Sequence, residues 1–321
     1  PLILLSRFLH MNPPNETSLT YFIIKGISDL PELQLLIFLL VLLIYLITLG
    51  GNMVIFLLVC LDHRLHTPMY FFLANLSILD ISSTTVSLHR VLVMFTGGGN
   101  TISFVSCMVQ MYFFASLICH ELLMLTAMSY DRYVAICHPL RYHTIMSQKV
   151  CVSLALSCWL LGFLQVLPPF LIFSGFTCFT SNEINHFFCD INQLMEITCN
   201  DTSFLQIILF INVLFVITLL PFSLTFISYV FIIVTILKIN SNTGKRKAFY
   251  TCSSHLTVVI LLYGILSCQY LTLSTAEFVT LKKFFSLFNT AAVPMLNPLI
   301  YSLKNKDVKS AMRRKLCCKV M

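Results

Sequence analysis

Apolar residues run along this chain in long blocks separated by short polar segments, with neither strand-like alternation nor a one-sided helical stripe. Crossing a hydrocarbon layer as helix takes roughly 20 mostly apolar residues at about 1.5 Å each. Seven stretches meet that length. The first lies between Glu32 and Asp62, the second between about Thr67 and His89, and the third between about Val105 and Met128. The fourth runs from about Val150 to Ser174, the fifth from about Thr202 to Leu237, the sixth from about Ala248 to Leu273 and the seventh from about Phe284 to Leu303. The fifth is too long for one crossing, so part of it is expected to project into water as helix. Helices apolar on nearly all sides say little about which face points inward. No internal repeat of the transporter kind is visible. The expected fold class is an all-α integral membrane protein, a seven-transmembrane helix bundle. Residues 1–31 form an N-terminal segment, 32–303 the helical domain and 304–321 an amphipathic helix and tail.

Composition agrees: the 321 residues are 58% hydrophobic and 10% charged, against about 25% charged in soluble domains. The net charge of +7 is topological, because 15 of 20 basic residues fall on one side of this layout: Arg64, Arg132, Arg141, Lys149, Lys238, Lys245, Arg246, Lys247 and seven from Lys304 to Lys319. That side is cytoplasmic by the positive-inside rule. Glu16, Asp29, Glu32, Glu183, Asp190, Glu196, Asp201 and Glu277 lie opposite, and no nucleic-acid partner is implied. Seven spans put the N-terminus outside, where Asn15-Glu16-Thr17 is a glycosylation sequon. The sequons at Asn75 and Asn200 lie inside or beside a span and are discounted. Pro1 opens the chain and Met11 begins a second candidate start, so residues 1–10 read as an upstream extension or a fragment boundary.

Ionisable residues inside a membrane are functional pointers, each costing about 2.5–3.5 kcal/mol at mid-bilayer. Asp80 and Glu121 are two, each about 16–20 Å from the cytoplasmic face at helical rise. Asn52 and Asn297 offer amide partners in the same inner half. Two neighbouring carboxylates repel, so they form either a protonated knot that glues helices or a cation site, sodium being the candidate ion. At the cytoplasmic end of the third span, Asp131-Arg132-Tyr133 supplies a lockable ion pair whose release would present a guanidinium to a partner.

The stretch Met128 to Cys137 does not stand alone. Gly51-Asn52, Leu65-His66-Thr67-Pro68-Met69-Tyr70-Phe71-Phe72-Leu73, Ser228-Tyr229, Lys247 to Leu256 and Pro294-Met295-Leu296-Asn297-Pro298-Leu299-Ile300-Tyr301-Ser302 accompany it. Together they resemble the signatures of olfactory receptors in the rhodopsin-like G-protein-coupled family, over nearly the whole chain. Departures are small: Ser129 where the family has Ala, Tyr250 where Ser is common, and Leu262 where Phe is common. The resemblance implies that Asp131, Arg132, Tyr133, Tyr229, His255, Asn297, Pro298 and Tyr301 form the switch toward a heterotrimeric G protein of the stimulatory type, with cyclic AMP as output. It implies a plasma-membrane location, in olfactory cilia, and no cofactor.

Four outer cysteines allow three pairings, and the outer compartment permits disulfides. Of these pairings the resemblance implies Cys107 to Cys189 and Cys178 to Cys199. Carried onto this chain, the family's odorant pocket comprises Phe114, Ala115, Ile118 and Cys119 on the third helix and Val213 and Ile217 on the fifth. Tyr263, Leu266, Ser267 and Tyr270 on the sixth and Thr290 on the seventh complete it. The outer half of the third span has no carboxylate, so a small neutral volatile suits the site better than an amine. Lys304 to Lys315 can lie along the inner leaflet, and Cys317-Cys318 admits palmitoylation. No His-Glu-x-x-His, Gly-x-Ser-x-Gly or P-loop is present, so an enzyme is not expected. An ion-coupled transporter would use the buried acids but leaves the Asp-Arg-Tyr end unexplained, and a non-olfactory receptor is opposed by the sixth-helix run.

Overall fold

The computed structural model describes residues 20–27, 31–95, 97, 99–271, 279–304 and 306–317. Strand β1 (Tyr21–Ile24) precedes helix α1 (Pro31–Leu61) and helix α2 (Pro68–Phe95). Strand β2 (Thr101–Ser103) leads into α3 (Phe104–Cys137), followed by α4 (Gln148–Phe173) and strand β3 (Glu183–Ile184). Helix α5 is assembled from Ser203–Ile211, a π-helical stretch Asn212–Leu219 and Leu220–Lys238. Helix α6 covers Asn242–Leu271. Helix α7 joins Val279–Leu287, a π-helical Phe288–Ala292 and Val293–Lys304, and α8 (Lys306–Cys317) follows. Among the described residues five helices are long and apolar enough to cross a membrane, and α6 adds a sixth as two segments bent by 41°.

Local chemistry explains several boundaries. Ser103 caps α3 by accepting from the Ser106 amide at 3.2 Å. Both π-helical stretches end shortly before a proline, Pro221 in α5 and Pro294 in α7. A proline has no N–H to give the preceding turn, and a widened turn absorbs that interruption. Helix α3 continues nine residues past the expected end at Met128 and carries Asp131-Arg132-Tyr133 on regular helix.

Helix α3 is the axis of the bundle. Met108, Leu117, Leu122, Met124, Leu125 and Met128 are all buried on it, whereas α1, α4 and α5 turn large apolar residues outward, Leu35 at 68% and Phe210 at 65% exposure. That inversion suits a hydrocarbon solvent. Close approaches depend on glycine. A Cβ on Gly51 would meet Pro298 at 3.0 Å, so its absence lets α1 lie against α7. A Cβ on Gly162 would fall 2.5–2.7 Å from the His120 ring, so its absence lets α4 seat on α3. His120 Nε2 bonds the Trp159 carbonyl at 2.6 Å, and Trp159 Nε1 donates to Asn75 Oδ1 at 3.2 Å, joining α2, α3 and α4.

One end of the bundle carries a sheet that the hydrophobic pattern does not announce. Strand β1 pairs antiparallel with β2 (Phe22 opposite Ile102) and parallel with β3 (Ile24 opposite Ile184), giving the order β2-β1-β3. Phe22 and Ile24 are fully buried beneath it. Part of the N-terminal segment is thus structural. Gly97 and Gly99 turn the chain into β2 at φ of 86° and 73°, conformations that favour glycine.

Candidate functional site

The polar centre of the bundle is built from four elements. Asp80 on α2 is 1% exposed, Glu121 on α3 6%, Asn297 on α7 2% and Asn52 on α1 1%. Asn297 Nδ2 donates to both Asp80 oxygens at 3.0 and 3.1 Å and lies 3.4 Å from Glu121 Oε1. Asn52 Nδ2 donates to the carbonyls of Thr48 and Pro294, each at 3.1 Å, tying α1 to α7 just before that amide. The two acids expected to meet at one depth do meet, through Asn297. Among the described residues no group of three or more His, Cys, Asp or Glu side chains is arranged as a metal site.

At the α8 end, Asp131 is fully buried and accepts from Arg132 Nε at 3.0 Å and from Arg132 Nη2. Its second oxygen accepts from the Tyr142 hydroxyl at 2.7 Å. Tyr142 lies on the short helix Tyr142–Ile145 between α3 and α4. Burial, with the Asp131 charge beside it, pushes that hydroxyl above the usual phenol range, so it stays a donor. Across the bundle, Tyr229 Oη meets His255 Nδ1 at 2.7 Å, and His255 Nε2 reaches the Leu125 carbonyl at 3.1 Å, linking α5, α6 and α3. Tyr133 Oη bonds His138 Nε2 at 3.1 Å, Pro298 packs on Gly51, and Tyr301 is buried 1% exposed in the core. Helix α8 docks beneath through Arg314, whose Nη2 lies 2.6 Å from Asp62 Oδ2. The Arg314 guanidinium holds the Asp62 carboxyl below the usual carboxylate range.

At the sheet end, disulfides join Cys107 to Cys189 and Cys178 to Cys199, with Cα separations of 5.5 and 5.4 Å. These are the pairs implied by resemblance. Asn200 Oδ1 accepts from the Cys178 amide at 3.1 Å, so that sequon's side chain is engaged inside the loop. Next to Cys189, Phe187 and Phe188 drop into the bundle, fully or almost fully buried. The Phe188 ring lies 4.6 Å from Phe114, centroid to centroid. Gln110 holds this loop, donating to the Val86 carbonyl at 2.8 Å and accepting from the Cys189 amide at 3.2 Å. His186 is buried between Phe187 and Phe188. Burial, reinforced by the Lys283 charge and opposed by Asp190, pushes it down to about 4.

Of the pocket positions, Phe114, Cys119, Tyr263, Leu266 and Thr290 are buried, Ala115, Ile118 and Val213 half-buried, and Ser267 exposed. Tyr263 stands edge-on to Phe222 at 5.2 Å. The side chains of Ile217, Tyr270 and Cys317, and the whole of Asn15 and Cys318, lie outside the described residues. Among the described residues, a groove of about 590 Å³ lies along α4 and another of about 260 Å³ between α5 and α6, and neither includes these positions. Sequence reading missed Tyr142, Phe187, Phe188 and Gln110. Gln110 had a signal: it is a lone amide one helical turn after Cys107, on the same face.

A helical bundle with a polar centre, a disulfide-braced cap at one end and a buried acid–arginine pair at the other is the architecture of a multi-pass helical membrane protein. The family signature described as olfactory receptor matches residues 41–319. Human olfactory receptor 2AP1 is 45% identical over 297 residues, covering 92% of this chain and 95% of its own length. Human olfactory receptor 6F1 is 43% identical (95% and 99% covered), and mouse olfactory receptor 5M5 45% (92% and 93%). The chain belongs to the olfactory receptor family. It is a multi-pass membrane receptor of the G-protein-coupled type and not an enzyme.

Proposed function

We propose that this receptor binds a small neutral volatile between its helices and activates a stimulatory, olfactory-type heterotrimeric G protein that raises cyclic AMP. The observation that carries the coupling half is the triple hold on Asp131, by Arg132 on one oxygen and Tyr142 on the other. Such a buried pair stores a guanidinium that a bundle rearrangement can free. In this reading the sheet end faces outside and the α8 end the cytoplasm, supported by the basic residues gathered at the latter and the disulfides at the former. Asn15 then carries glycan, and the olfactory cilium is the working location.

The ligand contacts would be Phe114, Ala115, Ile118, Cys119, Val213, Ile217, Tyr263, Leu266, Ser267, Tyr270 and Thr290. The set contains no charge, which favours neutral ligands. Because Phe188 occupies the space over Phe114, ligand entry displaces that ring and biases the bundle. Asp80 and Glu121 are hard oxygen donors on one amide, a set suited to sodium, which would neutralise the pair between active and inactive arrangements.

Cyclic AMP output is measured in cells supplied with olfactory G protein and trafficking factors, against a panel of neutral and acidic volatiles. A response lost in Arg132→Ala and shifted in Phe114→Trp, at unchanged surface expression, is expected. Retained output in Arg132→Ala would count against the coupling scheme, and an unshifted dose–response curve in Phe114→Trp against the pocket.

A further inference from the structure

We propose that the groove along the outer face of α4 holds one anionic phospholipid of the cytoplasmic leaflet, with its phosphate at Lys149 and its acyl chain along Val152, Leu156 and Leu160. The inference rests on the orientation proposed above, which sets the start of α4 at the cytoplasmic interface. The groove has a volume of about 590 Å³ and runs from Gln148 to Leu160 on one side of the helix. It is a shallow, open site on a single helix face, with the small residues Ser153 and Ser157 among its lining. The twelve helical steps from Gln148 to Leu160 rise about 18 Å, close to half of a roughly 30 Å hydrocarbon core. The groove is therefore one leaflet deep.

Polarity along it is graded as in a lipid. The apolar end is outward-facing, with Leu156 at 63% and Leu160 at 61% exposure, so hydrocarbon rather than protein is their partner in a single receptor. At the head end Lys149 is exposed and makes no ion pair among the described residues. The first turn of α4 holds no acid. Ser147, at the cap, leaves its side chain unbonded there, so the amides of that turn are not satisfied by it. A cation above an apolar stripe of leaflet length complements an anionic headgroup with its chain, and the cytoplasmic leaflet is the one rich in such lipids.

The full-length receptor, purified in detergent with equal phosphatidylserine and phosphatidylcholine, is examined by native mass spectrometry. Phosphatidylserine is expected to be retained preferentially. Lys149→Gln should lower its retention about fivefold, the worth of one basic residue near an anionic surface, with phosphatidylcholine unchanged. Leu156→Trp, which fills the groove, should lower both, and Lys238→Gln, at the exposed end of α5, neither. Unchanged retention in Lys149→Gln, or an equal loss in Lys238→Gln, would overturn the proposal. So would a receptor dimer, in place of lipid, that Leu156→Trp dissociates. Epitope tags at the two termini, read in intact and permeabilised cells, judge the orientation separately. Inverted tags would refute the leaflet assignment while the retention ratios still decide whether the groove selects anionic lipid.

Discussion

Gly162 offers the sharpest test of how the bundle is packed. Adding one methyl there puts a carbon 2.5 Å from His120 Cδ2 and 2.6 Å from its Nε2, well inside contact distance. The ring cannot swing away freely, because Nε2 is bonded to the Trp159 carbonyl at 2.6 Å and the ring lies 4.6 Å from Phe163. Forcing a methyl into a packed core typically costs about 1–3 kcal/mol, and losing one hydrogen bond adds about 0.5–1.5 kcal/mol. The better helix propensity of alanine returns up to about 1 kcal/mol. The net loss in Gly162→Ala is therefore about 1–3 kcal/mol, or a melting temperature lower by roughly 5 °C at about 2–4 °C per kcal/mol. Gly264→Ala is the matched control, since a Cβ at that position on α6 would meet nothing within 4 Å, and it should melt at or above wild type. Thermal unfolding of detergent-purified receptor, followed by a thiol-reactive dye, gives both values. Removing the ring completes a double-mutant cycle, in which Gly162→Ala should cost little once His120→Ala is present. Equal melting of wild type and Gly162→Ala, or strict additivity with His120→Ala, would refute the packing argument.

Two further outcomes follow from charge. His186 has its folded pKa pushed to about 4, below the ordinary 6.5, so the folded loop favours the neutral ring. That contribution is complete above pH 6.5 and is lost as pH falls from 6.5 through 4, because the unfolded chain takes up the proton first. Melting temperature should decline over that window in wild type and decline less in His186→Asn, and parallel curves would contradict the assignment. At the other end, Arg314→Ala should raise amide hydrogen exchange across α8 while leaving α2 protected, since Arg314 joins α8 to the turn at Asp62. Unchanged exchange would show that Val308 and Ala311, buried on the same helix, suffice to dock it.

Much of the site was legible in the sequence. Asp80, Glu121 and Asn297 stood out because a polar residue in a membrane span is costly and needs partners, and helical rise alone set them at one depth. The disulfide pairs came from resemblance and not from spacing, which left three options open. Tyr142 gave no signal, because its bond to Asp131 depends on how the short helix after α3 folds back. Phe187 and Phe188 read as two more apolar residues in a long loop until Cys189 and Gln110 pull that loop inward.

The sequence by itself determined the solvent, the helical class and the approximate positions of the spans, because burying unpaired backbone in hydrocarbon is prohibitive and long apolar blocks have one affordable conformation there. Tertiary structure alone decided what those blocks could not encode. Helices apolar on every side carry no record of which face turns inward, so the seating of His120 against Gly162 and of Gly51 against Pro298 emerges only when helices meet. The three-stranded cap is of the same kind. Strand β1 has partners about eighty and a hundred and sixty residues away, and a four-residue segment acquires its edges only after loop and helix have brought them together.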